Sequence, residues 1–195
     1  MISDNMSLVK HISNDCRSAY VEIRRISSIR QYPTVEATKT IVCAFVLSKL
    51  RYCNSLPSDC PLYILRRLQK VQNSAAKLVF KSRRRDHVQR LLHSLHWLPV
   101  QARIDYKLLT ICHNFFSDSF PAYLSDLLTV YTPSRQLRSS ADTRTLRTPH
   151  VKAKTFGQRS FSYSAPKQWK SLPSNIRHSQ SHRSFKTALK VHLYK

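Results

Sequence analysis

A chain of 195 residues with 42% hydrophobic residues is long enough for one domain or two small ones, and it carries the apolar material of a core. Its 33 Lys+Arg stand against only 10 Asp+Glu, a net charge of +23, and the acids are too thinly spread to supply the carboxylate cluster that two-metal phosphoryl transfer requires. One glycine in the chain, where about 7% is usual, excludes glycine-rich phosphate loops, so helices joined by proline- and serine-bearing loops are expected.

The spacing predicts a first helix from Leu8 to Ile26: Leu8, Ile12, Cys16, Ala19, Ile23 and Ile26 share one flank, and Lys10, Arg17, Arg24 and Arg25 fall away from it. A second helix is expected after "YPT", with Thr34 as N-cap. Its middle, "IVCAFVL" at 41–47, is apolar nearly all round, which points to a central position with Cys43 as a small core residue. That run is far short of the roughly 20 residues that span a bilayer, so no integral membrane protein is expected.

The third helix is the clearest. Pro61 suits its first turn, Asp59 is a possible cap, and Ile64, Leu65, Leu68, Val71, Ala75, Leu78 and Val79 occupy one arc of about 140° on a helical wheel. Arg66, Arg67, Lys70, Asn73 and Lys77 lie opposite, as a basic stripe. Asp86 reads as the cap of a short helix bearing Val88, Leu91, Leu92 and Leu95, and Pro99 opens a fifth helix with Ile104, Leu108, Ile111, Cys112 and Phe115 on one face. "FPAYLSDLL" at 120–128 adds one more short turn or helix.

Past Tyr131 helical periodicity weakens, and Ser, Thr, Pro and the single glycine favour extended segments and loops. Residues 131–195 hold 14 Lys+Arg and one acid, Asp142, a net +13, whereas residues 1–130 hold 19 against 9, a net +10. The composition therefore divides the chain into a helical region, 1–130, and a basic C-terminal region, 131–195, closed by a last helix with Ser184 as cap and Phe185, Ala188, Leu189 and Leu193 on one face. The fold class expected is mainly α.

Chemistry-bearing residues are many, but their patterns are poor. His93 and His96 share a helical face, and with His87 they suggest a metal, yet Cys53 and Cys60 are too far apart for a Cys-x2-4-Cys knuckle and the remaining ligands are missing. No Gly-x-Ser-x-Gly elbow is present, and Asp142 in "SADTR" stands alone, so nothing reads as an active site. The five cysteines, with no secretory signal opening the sequence, are expected as reduced thiols. The outstanding pattern is electrostatic: the stripe of Arg66, Lys70 and Lys77 continues into Lys81, Arg83, Arg84, Arg85 and Arg90 with Asp86 as the one acid, a surface that would attract phosphates and release counterions. Aromatic rings beside bases in "FGQRSFSY" and "PKQWKSLP" could stack on single-stranded bases, though core packing explains each ring equally well.

Six blocks in order, "ATKTIVCAFVLSKLRYCNSL", "LQKVQNSAAKLVF", "RRRDHVQRLLHSLHWLPVQARIDYKLL", "PAYLSDLL", "FGQRSFSYSAPKQWKSLP" and "FKTALKVHL", together resemble the C-terminal portion of reverse transcriptases from LINE-type, jockey-like non-LTR retrotransposons. The resemblance implies a helical thumb followed by a basic region, downstream of a polymerase palm whose Tyr/Phe-Ala-Asp-Asp motif, like the endonuclease, is not in this sequence. It implies a non-catalytic, cofactor-free part that holds template-primer duplex (RNA, DNA or an RNA–DNA hybrid) beside the missing palm, in an intracellular and nuclear setting. The competing expectation is a helical protein-interaction or structural module whose charge serves solubility alone, or a remnant with no independent activity.

Overall fold

The computed structural model describes residues 8–51, 62–83, 85–116, 120–132, 144–151, 157–158 and 160–194. The architecture is mainly α-helical, and the chain divides into two compact units, Met1–Arg103 and Ile104–Lys195. The change of composition near residue 130 falls inside the second unit.

In the first unit α1 (Leu8–Ile29) packs against α4 (Leu62–Phe80), and α2 (Val35–Val42) and α5 (Val88–Ser94) also pack on α4. Ile12, Cys16, Ala19 and Ile26 of α1 are buried and Ile23 is half-buried, while Lys10, Arg17, Arg24 and Arg25 are exposed, as the period requires. Thr34 caps α2, its hydroxyl accepting from the Ala37 amide at 3.2 Å. The helix then widens into a π turn, Cys43–Leu47, before α3 (Ser48–Arg51). The apolar run is not central. Val42, Val46, Leu47 and Leu50 are buried, but Phe45 is 56% exposed and Cys43 only half-buried. An all-apolar stretch can lie on a surface with one face in solvent; periodicity cannot tell the two apart.

α4 keeps its expected register. Ile64, Leu65, Leu68, Val71, Ala75 and Val79 are buried, and Arg66, Arg67 and Lys70 are exposed. Leu78 and Lys77 depart from the wheel, both half-buried on the wall of a cleft. Asp59, the expected cap, and Pro61, expected in the first turn, lie outside the described residues. Two glutamines on α4 hold the chain beyond α5. The Gln72 side chain, fully buried, donates to the Leu98 carbonyl at 2.8 Å, and the Gln69 oxygen accepts from the Val100 amide at 2.8 Å. The latter satisfies one of the orphan donors that open α6 (Val100–Phe115), whose first turn also uses the Pro99 carbonyl.

The chain leaves α4 and α5 in the same way. Lys81 and His96 both have positive φ, 52° and 56°. The Ser82 amide donates to Lys77 and the Lys81 amide to Leu78; the Trp97 amide donates to Leu92 and the His96 amide to His93. Both are Schellman closures, with a lysine and a histidine in the position that usually takes glycine.

In the second unit the core gathers Leu108, Leu109 and Cys112 of α6 with Leu128, Leu146, Ala165, Trp169, Leu172, Ile176, Phe185 and Leu189. α7 (Ala122–Ser125) matches the short helix expected at 120–128, and an antiparallel bridge joins Val130 to Leu146. The region expected to be extended or looped also forms α8 (Phe161–Ser171) and α9 (Ser174–Arg177). Pro166 and three serines mask α8, although Phe161, Ala165, Trp169 and Leu172 follow a helical step and the last three are buried. The closing helix, α10 (His182–Leu193), is present with Phe185 and Leu189 buried, but its cap is Ser181, which accepts from the Arg183 amide, rather than Ser184.

Candidate nucleic-acid interface

α4 carries the expected stripe outward because its opposite arc is buried against α1, α2 and α5. Arg66 and Lys70 are exposed on its outer face, and Lys77, a turn or two on, is half-buried. Lys81 is exposed at the Schellman corner, where its left-handed backbone ends the helix. Arg83, Arg85 and Arg90 are exposed, the last on α5; Arg84 lies outside the described residues.

Asp86, the one acid in this stretch, does not cap α5. Its carboxylate accepts from the Arg83 amide at 2.7 Å while its own amide donates to the Arg83 carbonyl at 3.2 Å, closing a turn across 83–86. His87 takes the N-cap position with no side-chain hydrogen bond. With the carboxylate turned to the loop backbone, the Arg83 and Arg85 side chains stay exposed, which suits a phosphate contact.

Among the described residues two clefts open along the α1–α4 seam; the larger, about 560 Å³, brings Lys77 and Lys81 together with Ser27, Ser74 and Ser82. The smaller, about 350 Å³, brings Lys70 together with Arg67 and Arg17. Arg66, Arg83, Arg85 and Arg90 line neither. Arg17 and Arg67 are not among the contact residues expected from the sequence; the signal for them is that both sit on the polar flanks of their helices. Arg67 also donates to the Ser13 hydroxyl at 2.9 Å, which ties α4 to α1.

The buried base at this seam is Arg30, 6% exposed. Its guanidinium donates to the carbonyls of Leu78 (2.9 Å), Pro33 (3.0 Å) and Val79 (2.5 Å). The sequence puts it in a connection between two helices, with no local signal for a partner 48 residues away.

Burial pushes the Cys16 and Cys112 thiols above the usual range, which makes these two poor nucleophiles. Among the described residues no group of three His, Cys, Asp or Glu is placed to hold a metal. His96, at positive φ, has already left the α5 spiral, so it no longer shares a helical face with His93. No described helix is long and apolar enough to cross a membrane.

The site and fold define a mainly α-helical, strongly basic chain with an acid-poor surface on its first unit. No family model, no curated protein and no solved structure matches it.

Proposed function

We propose that this chain holds nucleic acid through phosphate contacts and performs no chemistry of its own, as the thumb and post-thumb portion of a LINE-type reverse transcriptase whose palm lies elsewhere. The observation that carries the reading is the continuity of exposed base from Arg66 and Lys70 through Lys81, Arg83 and Arg85 to Arg90, with the intervening acid, Asp86, held by backbone. Condensed counterions released from a polyanion are the dominant driving force available to such a surface. The six ordered sequence blocks support the family reading, and the basic stretch after Tyr131 supports a second, less regular contact region. RNA, DNA and their hybrid all present the required phosphates.

The test is a fluorescence-anisotropy titration of a labelled RNA–DNA hybrid at about 50 mM salt, where phosphate contacts are strongest. The expected result is binding that weakens alike for all sequences when Arg83, Arg84 and Arg85 are changed together to Gln, since phosphate contacts carry no base information. Absence of binding would favour the interaction-module reading, for which the exposed Phe45, Leu62 and Tyr63 are the apolar surface.

A further inference from the structure

Among the described residues, two places on the first unit suit a polyanion: the exposed Arg83 and Arg85, and the seam between α1 and α4. The seam has the more developed geometry. Both clefts open along it, and among the described residues neither has an acidic side chain on its wall. The smaller pairs Arg17 from α1 with Arg67 and Lys70 from α4, beside the Ser13 hydroxyl. The larger pairs Ser27 from α1 with Ser74, Lys77, Lys81 and Ser82. Arg30 is part of its wall and holds its positive charge there while its N–H groups are engaged by carbonyls. Ammonium groups and hydroxyls are the donors that phosphate oxygens accept from.

We propose that one strand of the nucleic acid lies along the α1–α4 seam, with a phosphate seated in each of its two basic clefts. The inference rests on the nucleic-acid reading above and moves the main grip from the arginine turn to the seam. The spacing is compatible with a continuous strand: Lys70 and Lys77 are separated by about 10 Å along the helix axis at about 1.5 Å per residue, the axial rise of about three phosphates on one strand of a B-form duplex. Recessed walls also give a reason for Lys77 to be half-buried although it lies on the polar side of α4.

Two charge-matched double variants test this. Arg17→Gln with Ser27→Glu removes a base from the first cleft and puts a carboxylate in the second. Arg25→Gln with Ser28→Glu makes the same change in net charge at exposed α1 positions that line neither cleft. Affinity for a labelled RNA–DNA hybrid is measured against salt for these and the unaltered chain, with helical circular dichroism as the folding control. If each cleft seats one phosphate, the seam variant loses up to two contacts and its log–log salt slope flattens by about 1 to 2 units, while the matched variant stays within about half a unit of the unaltered chain. Equal slopes for the two variants, with the unaltered chain binding in a salt-dependent way, would overturn the seam and leave the nucleic-acid reading standing. No salt-dependent binding by the unaltered chain would overturn both. If the seam double variant does not fold, Arg17→Gln against Arg25→Gln decides by the same criterion, with a flattening of about one unit expected for the first.

Discussion

The guanidinium of Arg30 donates to the carbonyl oxygen of Val79, a residue 49 positions away, and to Leu78 beside it. These are among the last carbonyls of α4, which have no amide partner within the helix. A buried cation at a helix C-terminus is favoured by the helix dipole as well as by its hydrogen bonds. The end of α1 thereby closes the end of α4. Arg30→Met should cost about 2 to 4 kcal/mol of stability, because it takes the charged donor from the buried Val79 carbonyl and leaves the Leu78 carbonyl with the Lys81 amide alone. Arg30→Lys should recover only part of the loss, since an ammonium cannot reproduce the planar fork. Urea unfolding of the two variants checks this; an unchanged midpoint for Arg30→Met would contradict it.

The left-handed backbone at His96 carries a steric cost that glycine does not. His96→Gly should stabilise the first unit by up to about 1 kcal/mol, after allowance for the greater freedom of the unfolded glycine. His96→Val should destabilise it, a β-branched residue being least tolerant of this conformation. Thermal melts of both variants give the order; a valine variant melting above the glycine variant would count against the Schellman assignment.

Leu68 sits 5% exposed on the buried arc of α4. Truncation to Ala should cost roughly 2 to 5 kcal/mol through lost burial and a cavity, whereas Lys70→Ala, two residues on and exposed, should change stability by less than about 0.5 kcal/mol. Chemical denaturation distinguishes them. Equal effects would mean that α4 is turned on its axis.

His113 is 2% exposed, stacked on Phe185 at 4.2 Å, with its Nε2 3.2 Å from the Ser179 carbonyl. Burial first, and then the neighbouring His182 and Arg144, hold its pKa below the ordinary 6.5, against the Ser179 carbonyl, which favours the charged ring. Because the Ser179 carbonyl can only accept, Nε2 carries the proton of the neutral ring. At neutral pH and above the ring is neutral folded or unfolded, and stability is full. As pH falls below about 6.5 the unfolded chain takes up the proton first, so the second unit loses stability until the folded ring titrates as well. Melting between about pH 7.5 and about pH 5 should show this fall, and His113→Gln should flatten it. A fall of the same size in the Gln variant would assign it to other groups.

Much of this was legible in the sequence where a single helix face decides the outcome. The arc of Leu65, Leu68, Val71 and Ala75 and the hydroxyl of Thr34 act within a turn or two of their own positions, and the residues give them away. Arg30 was not legible, because its three acceptors are assembled only when α1 and α4 pack. Asp86 has the right chemistry for a cap and uses it on the Arg83 amide instead, a choice between two local hydrogen bonds that composition cannot make. α8 was hidden by Pro166, although the steps from Phe161 to Trp169 are helical; burial of Ala165 and Trp169 in the unit's core outweighs the proline's lost amide. The basic stripe, Arg67 included, was visible as residues, but its division between an open face and two clefts depends on where α1 lies, so the meeting of Arg17 with Arg67 and Lys70 emerged only with the fold.

The most direct test of the central claim is the affinity of the unaltered chain for a labelled RNA–DNA hybrid, measured from about 50 to about 300 mM salt. Five or six phosphate contacts predict that log K falls linearly against log[salt] with a slope near −5, at about −0.9 per contact on a B-form duplex. Binding whose slope is close to zero, or no binding at the lowest salt, would contradict the account.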